Sequence, residues 1–458
     1  LPVVRRSRRR GWVWLPAAGD VNRAQCSFCS ESDTGMTIRS LVAACGAALL
    51  GQFAVSVPAA AADTSAHWVA AWATALQPIP QRADLPPLYR APEVAGRTVR
   101  QIVYPTLSGK SARIHLSNEY GKTPLVIEEL RIARSAGGAA ASAGGGARVT
   151  FGGKSSVTLP AGREVDSDPI AMDVAEGAPY AVSAFVGPGQ RMEAWHRVSS
   201  QLNYVSAPGN HTQDTAAAAF RARFTQYAWV TALSVDAAPE ATAIATIGDS
   251  ITDGMRSSLN QNRRWPDALA RRLASAGNGW TAVINLGISG NRLLNDSPCY
   301  GEALLTRFGR DAIERPGVKS VIVLIGINDI NFAAMPARNG LDCDFPHASV
   351  TAAGLIAGYQ RLIAGARHAG VKVFGGTLTP AALPPERENI RLAVNQWIRS
   401  SHAFDGVVDF DAALRDPAAP DRLQRKFDSG DHIHPSDAGY AAMADAVPVE
   451  AVANPAHR

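Results

Sequence analysis

Charge is sparse in this chain: Asp, Glu, Lys and Arg make up 19% of its 458 residues, against about a quarter in an ordinary soluble domain. The charge present has no excess of either sign along the body. Net charge is +5, but residues 1–62 hold seven arginines and only three acids, leaving 38 basic and 37 acidic residues in 63–458. That excludes a polybasic face, and no nucleic-acid partner is expected. Cysteine is scarce too, with five in all, and no His/Cys cluster has zinc spacing, so no structural metal is expected. Hydrophobic residues reach 46% and mean hydropathy is −0.05. A disordered or collagen-like chain is thereby excluded, and the length leaves room for two or three domains.

Long apolar runs are also missing, with one exception. After Met36, Thr37-Ile38-Arg39-Ser40 is a short positive stretch and Leu41 to Val57 is apolar. Pro58 and Ala59 to Ala62 then supply a small-residue cleavage site before Asp63. This is the pattern of a secretory signal peptide over 36–62. The run is too short and too rich in Gly and Ala to span roughly 30 Å of hydrocarbon well, so no stable membrane insertion is expected after cleavage. Residues 1–35 read as an over-called or dispensable extension. The expected location is secreted or periplasmic. Cys26, Cys29 and Cys45 fall in this leader, which leaves Cys299 and Cys343 in the mature chain. In an oxidising compartment these two are a candidate disulfide.

Residues 63–236 read as a β-rich domain resembling a sandwich. Arg97–Val103 and Ser111–Ser117 alternate in polarity, and further candidate strands are 125–132, 148–151, 156–159, 170–174 and 180–186. Gly/Pro turns separate them. Ser135 to Gly146 is Gly/Ala/Ser-rich and reads as a floppy loop. Trp68 and Trp72 read as core residues.

From 241 the texture changes. Apolar runs at 241–247, 281–286, 318–325, 371–377 and 406–410 alternate with helical stretches at 264–276, 350–369, 386–402 and 436–447. That alternation predicts an α/β domain over 241–458, with a parallel sheet covered by helices and ligands at the carboxyl ends of its strands. Reactive residues follow the runs. Gly248-Asp249-Ser250-Ile251 comes after the first, Ile288-Ser289-Gly290-Asn291 after the second, and Gly326-Ile327-Asn328-Asp329 after the third. Asp431-His432-Ile433-His434-Pro435 precedes the last helix. Acyl transfer needs a nucleophile, a base, a group orienting the base and donors for an oxyanion. These four loops contain all of them.

In these four blocks the sequence resembles the SGNH/GDSL hydrolases, with isoleucine at position 251 where the family name has leucine. The resemblance implies a flavodoxin-like SGNH fold and a serine-esterase mechanism without a cofactor. It implies Ser250 as nucleophile, His434 as base, Asp431 as its orienting acid, and the Ser250 N–H, Gly290 N–H and Asn328 amide as oxyanion donors. Gly287 is a weaker candidate than Gly290, and His432 a weaker one than His434. More faintly, Trp68–Thr74, Arg113–Asn118 and Thr150–Gly153 resemble the amino-terminal region of an acetylxylan-esterase-like subgroup. The expected partner is therefore an ester substrate, an acylated polysaccharide in the first place, with oligomeric state left open. A lipase or broad carboxylesterase is the alternative within enzymes. An inactive glycan-binding protein is the alternative outside them, and the intact Ser250, Asp431, His434 and Asn328 argue against it.

Overall fold

Short alternating strands in the first half build two antiparallel sheets. The computed structural model describes residues 66–453; the signal-peptide assignment and the 1–35 extension lie outside the described residues. The smaller sheet runs Trp68–Ala73, Val230–Asp236, Ala112–Ser117, Glu164–Asp166. The larger runs Ala222–Phe224, Asn203–Pro208, Arg97–Val103, Tyr180–Val186, Leu125–Gly137, Ala140–Ala141. Ala147–Val149 and Val157–Leu159 also pair with Leu125–Gly137. Ile114 and Leu116 of the smaller sheet and Val99, Leu130 and Val182 of the larger belong to one buried core.

Two local expectations need correction. The stretch 170–174 forms only isolated bridges, Ile170 with Ala112 and Val174 with Gly109. Ser135 to Gly146 is not a floppy loop: Ser135–Gly137 extends the long strand and pairs with Ala140–Ala141. The reason lies in two arginines that bind its carbonyls, Arg100 from two strands away and Arg131 from the long strand itself. Arg100 Nη1 donates to Ala139 O at 2.6 Å, and Arg131 donates to Gly145 O and Gly146 O at 3.0 and 2.9 Å. Trp72 packs edge-on to Tyr227 at 5.0 Å, while Arg113 lies over the Trp68 ring at 4.3 Å.

The second half forms a five-stranded parallel sheet. Its order is Thr281–Gly287, Thr242–Gly248, Val318–Leu324, Lys372–Gly376, Gly406–Val408. Helix Trp265–Ser275 packs against the outer strand Thr281–Gly287, and Ala352–His368 packs against Lys372–Gly376. The last strand ends at Val408, two residues earlier than its apolar run, because the Asp409 carboxylate accepts from Ala412 N–H at 3.0 Å and starts helix Phe410–Leu414. After helix Asp437–Asp445 comes one more, Val449–Ala453. No described helix is long and apolar enough to cross a membrane.

The described residues fall in one compact unit, and the seam between its two halves is bonded. Ala70 N–H donates to Pro316 O at 2.9 Å. Thr106 Oγ1 both donates to Val283 O and accepts from Val283 N–H, each at 2.9 Å.

Candidate active site

Three of the four reactive loops leave the carboxyl ends of parallel strands, and the fourth, Asp431–Pro435, precedes helix Asp437–Asp445. Strand Thr242–Gly248 turns into the short helix Ser250–Asp253 through Asp249, whose buried carboxylate accepts from Ile251 N–H at 3.0 Å. The turn is tight: a Cβ on Gly248 would lie 2.0 Å from Leu324 O. Ser250 therefore begins a helix, where its own N–H has no intrahelical acceptor.

The Asp431–Pro435 loop brings the base to it. His434 Nε2 lies 2.8 Å from Ser250 Oγ, and His434 Nδ1 lies 2.8 Å from Asp431 Oδ2. An ionised carboxylate can only accept, so Nδ1 donates to Asp431 and Nε2 is left to accept from the serine hydroxyl. Asp431 Oδ1 also accepts from the Ile433 and His434 backbone N–H groups at 3.1 and 2.9 Å, and Oδ2 from Arg256 Nε at 3.1 Å. Partial burial opposes ionisation of Asp431, but the bonds from His434 and Ile433 outweigh it and hold its carboxyl well below the usual range. His432 is largely exposed and points its Nδ1 to Asp428 at 2.6 Å; the imidazole bonded to Ser250 is that of His434.

The second and third loops meet beside the serine's helix. Gly290 has φ +86°, and a Cβ there would lie 2.4 Å from the Tyr300 ring, so only glycine fits. Asn328 is the second residue of helix Ile327–Phe332 and is buried. Its Nδ2 donates to Asn291 O at 3.0 Å, which leaves the amide one further N–H. Among the described residues the Ser250 and Gly290 amides donate to no other group. Gly287, the other glycine considered, ends its strand packed against the Asp253 backbone.

Several residues that hold this geometry were not legible as site residues. Asp253 Oδ2 accepts from Ser289 N–H and Oγ at 2.9 and 2.5 Å, tying the serine's helix to the glycine loop. Asp329 accepts from Leu293 and Leu294 N–H at 2.7 and 3.0 Å, and burial pushes its carboxyl up to about 6. Arg307, fully buried, donates to Gly248 O, Leu286 O and Asn291 Oδ1 at 2.9–3.0 Å, clamping two strand ends. His196, from the β-rich half, reaches Asp253 Oδ1 at 2.9 Å. Of these, only Asp329 lay in a block read from the sequence, Gly326-Ile327-Asn328-Asp329. The other contacts depend on chain reversals that no local pattern encodes.

Cys299 and Cys343 form a disulfide, with Cα atoms 5.0 Å apart. It fixes the segment holding Tyr300, whose carbonyl accepts from Asn291 Nδ2 at 2.9 Å.

Residues 246–442 match the model of the GDSL-like Lipase/Acylhydrolase family. No curated protein matches the chain. Among solved structures, it is similar to Axe2, an acetylxylan esterase from Geobacillus stearothermophilus, at 22% identity over 45% of this chain and 91% of that one, with a TM-score of 0.34. It is similar to LAE5, an alpha/beta hydrolase enzyme from the metagenome of Lake Arreo, Spain, at 19% identity over 47% and 96%, TM-score 0.34. A GDSL-like lipase from Bacteroides thetaiotaomicron VPI-5482 is similar at 18% identity over 47% and 89%, TM-score 0.31. The family-model match spans all four of these loops and none of the β-rich half. Together with the Ser250–His434–Asp431 contacts, that match supports a carboxylic-ester hydrolase.

Proposed function

We propose that the protein is an exported serine esterase of the SGNH type that removes small acyl groups, acetyl above all, from glycans. The observation that carries the esterase reading is the continuous hydrogen-bond chain from Asp431 through His434 to Ser250. As Ser250 Oγ attacks the ester carbonyl, its proton passes to His434 Nε2. Asp431 remains ionised and stabilises the imidazolium. The negative oxygen of the tetrahedral intermediate is received by the Ser250 and Gly290 N–H groups and the second N–H of Asn328. Collapse breaks the ester C–O bond, and the departing alcohol takes the proton from His434. Water then attacks the acyl-enzyme by the same route, with His434 accepting its proton and returning one to Ser250 Oγ as the acid leaves.

Strand order 2-1-3-4-5 supports a flavodoxin-like sheet with helices on its faces. The shared core of the two antiparallel sheets supports a sandwich for the β-rich half. Export is supported by the Met36–Ala62 pattern and by the disulfide of the two remaining cysteines. Half-exposed Tyr89, held with Tyr300 about Arg197, offers a ring face on which a sugar can stack.

Purified protein should hydrolyse p-nitrophenyl acetate. Ser250→Ala and His434→Ala should each lose several orders of magnitude in kcat, with the double variant little worse than either. His432→Ala should stay near wild type. An acyl chain-length series should decline from acetate, and acetylated xylan should be preferred to triglyceride. Activity unchanged in Ser250→Ala would overturn the mechanism, and a preference for long chains would replace the glycan reading with a lipase one. Amino-terminal sequencing of exported protein should start near Asp63.

A further inference from the structure

Among the described residues Arg197 is a cation at the edge of the site that finds no hydrogen-bond or ion-pair partner in the fold. It is 8% exposed, its Nε is buried without a hydrogen-bond partner, and among the described residues its guanidinium joins no ion pair. Its carbon lies 5.3 Å from the Tyr89 ring centroid and 5.5 Å from that of Tyr300. Two independent links place it beside the reacting groups. The Tyr300 ring covers Gly290. The preceding residue, His196, bonds Asp253 on the helix that begins with Ser250. Other buried arginines are hydrogen-bonded: Arg307 to Asp311 and three further oxygens, Arg391 to Glu388 and Asp411, and Arg292, which likewise joins no ion pair, to four backbone carbonyls. A guanidinium has donors and no acceptor, and a buried charge is disfavoured unless it is paired. The two ring faces compensate it only in part.

We propose that Arg197 is a substrate-binding residue that takes a carboxylate on the ester substrate, so that the enzyme favours acidic esters. The inference rests on the esterase reading above and narrows its substrate class. The planar fork of a guanidinium matches a carboxylate in two-point fashion, and Tyr89 and Tyr300 flank it here. The carboxylate can belong to the alcohol part, as in an acylated uronic-acid glycan, or to the acyl part, as in a half-ester of a dicarboxylic acid. Either places the anion within the same loop cluster as the oxyanion donors.

Two substrate pairs separate these sources. The first is acetylated polygalacturonate against the same polymer with its carboxyls reduced. The second is p-nitrophenyl hydrogen succinate against p-nitrophenyl acetate. The quantity read is the ratio of kcat/KM for the charged over the neutral member, which cancels any general loss of active enzyme. In the wild type the ratio should exceed 1 on one pair. Arg197→Gln should lower it at least tenfold there, through KM more than kcat, and Arg197→Lys should fall between. A ratio unchanged by Arg197→Gln on both pairs overturns the proposal and leaves Arg197 as a cation packed between two rings. Should the glutamine variant not fold, galacturonate and succinate are tested as competitive inhibitors of wild-type acetate-ester hydrolysis, with chloride at equal ionic strength as reference. Inhibition no stronger than that of chloride also overturns it. A protein with no Ser250-dependent hydrolysis would instead sink the esterase reading; calorimetric binding of polygalacturonate and of succinate, wild type against Arg197→Gln, then decides the role of Arg197 by itself.

Discussion

His196 Nε2 and Asp253 Oδ1 lie 2.9 Å apart, joining the β-rich half to the last residue of the helix that Ser250 begins. Both side chains are almost wholly buried, and the other Asp253 oxygen holds Ser289, next to Gly290. Deleting the imidazole leaves a buried carboxylate short of a donor and frees the glycine loop to shift. His196→Ala should lose about 3 kcal/mol of stability and about 10- to 100-fold in kcat, as expected when oxyanion donors drift. Urea unfolding and steady-state kinetics check the two parts. Lost stability with wild-type kcat would confine His196 to holding the fold.

Asn328 is the only proposed oxyanion donor that substitution can remove. Asn328→Ala should cost about 10²–10³ in kcat, roughly 2.7–4 kcal/mol, with a smaller change in KM. Asn328→Asp should be at least as damaging, since a carboxylate would face developing negative charge. The residue is buried in a helix and bonded to Asn291 O, so some stability should go as well. Active-site titration of Ser250 gives kcat per folded molecule, and near-wild-type kcat on that scale would remove Asn328 from the mechanism.

Asp249 makes stability depend on pH. Burial raises its carboxyl to about 7, with Asp329 and Asp253 adding to the rise and the Ile251 N–H and Arg307 only partly opposing it. The folded state thus binds this proton more tightly than the unfolded chain, whose aspartate titrates near about 4. The resulting stabilisation is fully present below about pH 4 and is lost as pH rises to about 7. Asp249→Asn, which cannot ionise, should therefore gain melting temperature relative to wild type between pH 4 and 7 and hold that gain above. A difference independent of pH would mean that Asp249 keeps one protonation state throughout.

The Cys299–Cys343 bridge spans 44 residues of chain, a separation for which a disulfide contributes roughly 2–4 kcal/mol. Thiol titration of denatured, unreduced protein should find neither of these cysteines free. The Cys299→Ser/Cys343→Ser variant should melt lower. Its KM should rise more than its kcat falls, because the bridge steadies Tyr300 rather than the triad. An unchanged melting temperature would contradict that account.

The parallel strands and most helices were legible because buried strands read as apolar runs, as in Val321–Leu324. The triad was legible because its members sit in short loops, each tied to the end of one element. The Gly-rich 135–146 stretch misled because its order comes from Arg131 on the strand before it and from Arg100 two strands away, whose reach across the sheet leaves no local trace. Arg197 and His196 were hidden for the same reason. Their meaning depends on Tyr300 and Asp253, which lie far along the chain.

Thr106 and Val283 bear on how the protein could be cut. Thr281–Gly287 is the outermost strand of the parallel sheet, and an outer strand with unpaired peptide groups is a template for another chain to join. Thr106 occupies the Val283 amide and carbonyl together, while Val69 lies against Gly317, just before strand Val318–Leu324. A chain begun at Ala241 would keep every triad residue yet bare that border. Its characteristic failure would be strand-to-strand aggregation rather than loss of chemistry, which makes the β-rich half a guard of solubility as well as a neighbour of the site.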